Sequence, residues 1–158
     1  MTPDVNDQKD NFRRLLEECR AETEAVLMGA DPERVVYDES GWRVKDLIAH
    51  LTSWEREVIT SIRAYNDNAI YSIADFSSDD SYNEKVFRRD YDVPFQQLQM
   101  DWTAVHARFI SAILSIPAER WDGQIMCPWH LTSSIEGIVR DMINHEAGHR
   151  HDIRSKVD

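Results

Sequence analysis

A hydrophobic period of three and four residues returns in four long stretches of this chain and fixes the class of fold it can adopt. Across Asn6–Met28 the inward positions are Phe12, Leu15, Leu16, Cys19, Thr23, Val26 and Leu27, and Gly29 follows where a helix C-cap belongs. After Asp31-Pro32 and Ser40-Gly41 the period resumes at Val44, Leu47, Ile48, Leu51, Trp54, Val58, Ile59 and Ile62, which predicts a second helix to about Asn66. A third starts at Asp92 and Pro94, shows Phe95, Leu98, Trp102, Val105, Phe109, Ile113 and Leu114 on one face, and is closed by Pro117. Ser133 and Glu136 fit a capping box ahead of Ile135, Ile138, Val139 and Met142, so a fourth helix runs close to the C-terminus. No stretch argues for a sheet, and four amphipathic helices bury their stripes by forming an all-α four-helix bundle.

The totals agree. A chain of 158 residues fits one domain spanning 1–158 and can hide roughly two-thirds of its unfolded surface. Five Gly and five Pro leave little material for the many tight turns of a sandwich or barrel. A formal net charge of -11 repels phosphate backbones and anionic lipid surfaces, which sets aside nucleic acid and membrane as partners. Met1–Asp10 is polar and no apolar run approaches the ~18 residues of a membrane span, so a cytoplasmic protein is expected. Cys19 and Cys127 make no disulfide framework and read as free thiols.

One connection is unusual. Asp67–Asp92 is long, rich in Ser and Asp, and carries a short helical pattern only around Tyr82–Arg89; connections of such length inside compact domains have a purpose.

The histidines suggest what the purpose is. The core stripe of the fourth helix continues through His145 and His149. Residues four apart on a helix have Cβ atoms roughly 6 Å apart, so both rings can converge on one ion at a Zn–N distance of ~2.0 Å. A pair alone is unspecific, and His50, between Leu47, Leu51 and Trp54 on the second helix, is the candidate third ligand. In an up-down-up-down bundle His50 would sit at the opposite end from the pair. If the second and third helices run parallel, in up-down-down-up order, the three rings meet at one level, and Asp67–Asp92 is long enough to be the crossover this requires. His106 reads as a core histidine satisfied by hydrogen bonds, His130 as a loop residue, and His151 as lying on another helix face.

His145-Glu146-Ala147-Gly148-His149 also matches the HExxH of zinc metalloproteases, but in the extended form of that motif the Gly and last His would fall on Asp152 and Ser155. A protease is therefore set aside. The residues resemble instead the DinB/YfiT-like family of metalloenzymes, including its ClbS-like branch, through the run Trp42 to Leu51, then Trp54-Glu55, and His145 to Asp152. The likeness covers nearly the whole chain. It implies an up-down-down-up bundle holding a divalent metal, zinc or nickel, on His50, His145 and His149. Arg43 departs from the small polar N-cap usual in such sequences, and the separate C-terminal domain of the superfamily's mycothiol-dependent isomerases is not seen, so isomerase activity is not implied.

Three protein nitrogens leave a metal position open for water or a substrate atom, the arrangement of catalytic zinc sites. The resemblance implies transfer of a low-molecular-weight thiol onto an electrophile, or hydrolytic opening of a reactive small molecule, in stress response or detoxification. Trp54, Tyr82 and Trp129 are the candidate pocket residues; Trp129 stands out because it lies in a loop, whereas Trp54 also fits the core. Glu55 and Glu146 are the carboxylates nearest in sequence to act as a base or as a partner to the histidines, but Glu146 points about 100° around the helix from His145, and both read as solvated charges. An apolar outer stripe would serve a homodimer. The competing expectation is a non-catalytic binding or stress-response module whose metal site is structural or lost.

Overall fold

The computed structural model describes residues 4–157 of the chain. The polar reading of Met1–Asp10 therefore falls in part on residues outside those described.

Helix α1 spans Val5–Leu27, capped by the Asp4 carboxylate, which accepts from the Asn6 amide at 2.9 Å. A short antiparallel hairpin follows, β1 (Val35–Tyr37) paired with β2 (Trp42–Arg43), turned through Gly41 at φ 73°. That positive φ is where glycine carries no Cβ penalty. Helix α2, Val44–Asn66, starts directly from the hairpin, and the Arg43 amide donates to Asp46 Oδ2 at 2.8 Å. The backbone donor is thus satisfied by the acid three residues on, so the bulky Arg43 is tolerated at the N-cap. Its guanidinium bonds Asp46 and Glu33 as well.

The long connection contains a fifth helix, α3 (Asp79–Asp90), N-capped by the Ser78 hydroxyl, which accepts from the Ser81 amide at 3.1 Å. The pattern at Tyr82–Arg89 is the part of it visible in the sequence. Helix α4 spans Phe95–Leu114 and α5 spans Ile135–Val157. Between them a second hairpin pairs β3 (Ile125–Met126) with β4 (Thr132–Ser133). Neither hairpin was expected; strands of two or three residues are too short to show a period. The α5 cap also differs from the expected Ser133–Glu136 box. Ser133 is engaged in β4 opposite Ile125, and the Ser134 hydroxyl accepts from the Gly137 amide at 3.1 Å instead.

Two apolar clusters define the helix directions. One joins Phe12 and Leu16 of early α1, Val58, Ile59 and Ile62 of late α2, Phe109 and Ile113 of late α4, and Ile135, Ile138 and Met142 of early α5. The other joins Leu27 of late α1, Val44, Leu47 and Ile48 of early α2, Phe95 of early α4, and Ile153 of late α5. Hence α2 and α4 run the same way, antiparallel to α1 and α5, the up-down-down-up order that the crossover permits. No helix among the described residues is long and apolar enough to cross a membrane.

Between the clusters lies a polar layer with one residue from each of the four long helices. Arg20 of α1 donates from Nε and Nη2 to Glu146 of α5, both at 3.1 Å, and from Nη2 to Glu55 of α2 at 3.0 Å. Its guanidinium also stacks 3.9 Å from the Trp102 ring centroid. His106 of α4 faces Glu55 Oε1 at 2.7 Å through Nδ1 and the Leu16 carbonyl at 3.3 Å through Nε2. Glu55 Oε1 is thus contacted from two sides, by Arg20 and by His106. Glu55 and Glu146 are 4% and 5% exposed, which corrects their reading as solvated charges. Burial at this depth demands pairing, and Arg20 supplies it.

Candidate metal centre

His50 is the seventh residue of α2, whereas His145 stands at the middle of α5 and His149 one turn beyond it. Because those helices are antiparallel, the three rings stand at one level. Their centroids are 4.9, 5.0 and 4.8 Å apart, close to an equilateral triangle. His145 Nε2 faces Nε2 of His50 at 2.9 Å and Nε2 of His149 at 3.1 Å. A neutral Nε2 offers one proton or one lone pair and cannot serve both neighbours, whereas a cation between the rings takes all three lone pairs. A tetrahedral ion at ~2.0–2.1 Å sets its nitrogen ligands about 3.3 Å apart, close to the 2.9 and 3.1 Å that separate His145 from its two neighbours. The donor set fits zinc or nickel chemistry.

Burial keeps the rings in the ligating form. Desolvation first, then the neighbouring His145 and His149, push His50 down to about 2, with a contact to Asn83 working against them. Desolvation followed by His149 lowers His145 to about 4, and desolvation also lowers His149. All three are neutral at pH 7, so a cation need not displace protons to bind them.

The ring of His149 is set by residues that sequence reasoning missed. Its Nδ1 lies 2.8 Å from the Tyr37 hydroxyl, which donates to Asp152 Oδ2 at 2.5 Å. With its proton committed to the carboxylate, the Tyr37 oxygen accepts from Nδ1–H, which leaves the Nε2 lone pair aimed at the other rings. The only sequence signal was an acid three residues after His149 on the same helix. Behind His50, the Trp42 ring stands 5.2 Å away and stacks on Phe87 of α3. Nδ1 of His50 is buried without a hydrogen-bonding partner.

A cavity of about 410 Å³ opens beside the rings, lined by His50 and His145, Trp54, Trp129 and Met142, and by Asp79, Asn83 and Asp141. Trp54 is held by a 2.9 Å bond from Nε1 to Asn83 Oδ1. Trp129 is presented by the turn of the second hairpin, in which the His130 amide donates to the Cys127 carbonyl at 3.0 Å and His130 takes φ 64°. His130 in turn lies 4.5 Å from the Phe76 ring of the crossover. Tyr82 does not line this cavity. Its ring lies 4.7 Å from that of Trp54, tilted by 50°, and its hydroxyl bonds Ser53 and Glu57, facing a neighbouring hollow under the crossover. Asp141, one turn before His145 on the same face of α5, joins the lining without having been singled out in the sequence.

Three sequence candidates take other places. His106 is part of the buried layer, His151 is exposed, and Glu146 is locked to Arg20 rather than turned to the rings, unlike the base of a metalloprotease. Cys19 and Cys127 are both free and buried.

A family model described as the DinB superfamily matches residues 15–153. No curated protein sequence matches the chain. Among solved structures, the mycothiol-dependent maleylpyruvate isomerase superposes with a TM-score of 0.76 at 15% identity, covering 97% of this chain and 63% of the isomerase. A variant of that isomerase with one histidine replaced by alanine gives 0.74 at 14% identity, over 97% of this chain and 63% of the variant. An uncharacterised protein from Escherichia coli UTI89 gives 0.73 at 14% identity, covering 98% of this chain and 94% of that one. At such identities the likeness is one of fold, and this chain spans 63% of the isomerase's length.

Proposed function

The chain belongs to the DinB superfamily, and on that footing we propose that it is a divalent-metal-dependent enzyme acting on a small molecule, with zinc or nickel held by His50, His145 and His149. The observation that carries the proposal is the convergence of three neutral imidazoles, two of which line a cavity large enough for a small substrate. A structural site is closed by a fourth protein ligand; among the described residues the cluster numbers three, beside open space.

The reaction class proposed is transfer of a low-molecular-weight thiol onto an electrophile, or hydrolytic opening of a reactive small molecule, in detoxification. A divalent ion in this site supplies Lewis acidity, lowering the pKa of a thiol or water placed beside it. The chain's own residues do the rest. Tyr37 and Asp152 hold the His149 ring and its tautomer. Trp54, Trp129 and Met142 exclude water and seat the apolar body of the substrate. Desolvation raises both cysteine thiols, Cys127 to about 11, so neither supplies a thiolate and the attacking sulfur or oxygen comes from solution.

The test is the metal content of protein purified without a His tag, beside a variant with His50, His145 and His149 all changed to Ala. About one equivalent of metal in the parent and none in the variant is expected; a metal-free parent that takes up neither zinc nor nickel on dialysis sinks the reading. Cobalt-substituted spectra in the presence of candidate thiols then separate the branches, since a thiolate entering the metal's coordination changes them and an unchanged spectrum favours the hydrolase.

A further inference from the structure

The cavity's charge pattern restricts what it takes. Its ionisable lining beyond the two histidines consists of Asp79 and Asp141, and no Lys or Arg lines it. Neither acid makes an ion pair or hydrogen bond among the described residues. Both are exposed to solvent. The apolar part of the lining is Trp54, Trp129 and Met142, and the chain as a whole carries -11. The inner end differs in kind: His50 is 6% exposed, and its Nδ1 has no partner.

Resting on the metalloenzyme reading above, we propose that the substrate seated in this cavity has an apolar or aromatic body and a cationic group such as an ammonium, and that carboxylate- or phosphate-bearing substrates are rejected. The charge count supports this. A divalent ion on three neutral imidazoles balances Asp79 and Asp141, and an entering thiolate leaves the lining one charge negative. A cation on the second substrate restores neutrality; a dianion finds no counter-charge. The aromatic walls act in the same sense, because a Trp face attracts a cation and its flat area seats an apolar ring. The field of the acidic surface adds a longer-range preference that salt screens.

Three matched probes test the proposal: 2-naphthylmethylammonium, 2-naphthylmethanol and 2-naphthoate, followed by quenching of tryptophan fluorescence. Each is titrated into the metal-free full-length protein and into zinc-loaded protein whose open position is filled with 2-mercaptoethanol. The ammonium is expected to bind about fivefold tighter than the alcohol at low salt, and the carboxylate weaker than both. The advantage, read as the ratio of ammonium to alcohol affinity within each protein, falls with added salt and disappears in Asp79→Asn/Asp141→Asn. Equal or tighter binding of the naphthoate to metal-free protein, or an ammonium advantage that survives the double variant, overturns the proposal. If zinc does not bind at all, the metalloenzyme reading falls, yet the ranking in metal-free protein still decides this one.

Discussion

Nδ1 of His149 and the Tyr37 hydroxyl are 2.8 Å apart, and the hydroxyl is the acceptor because its own proton is held by Asp152. Burial and that carboxylate raise the Tyr37 pKa, so the phenol stays protonated throughout the working range. Replacing Tyr37 with Phe removes the acceptor and little else. Metal affinity should weaken about tenfold to hundredfold, by the usual effect of losing a partner to a ligating histidine. Competition with a chromophoric chelator measures it; unchanged affinity alongside an unchanged fold would remove Tyr37 from the site.

Stability of the metal-free protein should depend on pH through the three rings. An unfolded histidine titrates near 6.5, while His50 and His145 in the fold titrate at about 2 and about 4 and His149 is lowered too. Because the folded values are depressed, the stabilisation is complete above pH 6.5 and is lost as pH falls toward the folded values. Each ring contributes a slope of about 1.4 kcal/mol per pH unit in that window. Urea midpoints at pH 7, 6 and 5 should fall more steeply for the parent than for the triple His→Ala variant, and parallel curves would refute the account.

The buried layer makes a sharper stability prediction. Arg20→Met leaves Glu55 and Glu146 buried without their cation, and breaking such a pair costs about 3–5 kcal/mol. Arg20→Met combined with Glu55→Gln and Glu146→Gln should recover a large part of the loss, since the penalty arises from unpaired charge. Denaturant unfolding of the single and triple variants decides it; a triple variant less stable than the single one contradicts the assignment.

Trp129→Ala removes one wall of the cavity without touching a ligand. Affinity for aromatic probes should drop about tenfold, in keeping with the energy of stacking an aromatic ring against a pocket wall, with metal content unchanged. Tyr82→Phe, which alters only bonds behind Trp54, should leave both near the parent values.

Both cysteines should be inert. Cys127 is fully buried and raised to about 11 by desolvation and the nearby Asp141 charge, and Cys19 is raised by desolvation and Glu146. Ellman's reagent should react slowly with the native protein and quickly in guanidinium. Rapid native labelling would show that a thiolate is available to the chemistry after all.

Much of this was legible in the sequence because the signals were long. Four apolar stripes announced the bundle, and the position of His50 early in one helix against His145 and His149 further along another, joined to the length of the Asp67–Asp92 connection, implied parallel α2 and α4. What escaped was short or pairwise. Tyr37 reaches His149 only because a three-residue strand turns it inward. Arg20, Glu55 and Glu146 look like surface charges when read singly, and their burial follows from a match across three helices that no single stripe displays. Tyr82 has the spacing of a pocket residue, but the roll of α3 turns Asn83 to the cavity and Tyr82 to its back.

The crossover has one further consequence. Three histidines stand on helices fixed by the bundle core, while Asp79 and Asn83 stand on α3, which rests against the outside of α2 and contributes only Val86 as a buried residue. The crossover thus supplies the Asp79 and Asn83 part of the cavity lining, while Trp54, Trp129, Asp141 and Met142 come from other elements. Changes of sequence or length in 67–92 would therefore reshape one side of the cavity while the three histidines keep their register on the bundle helices.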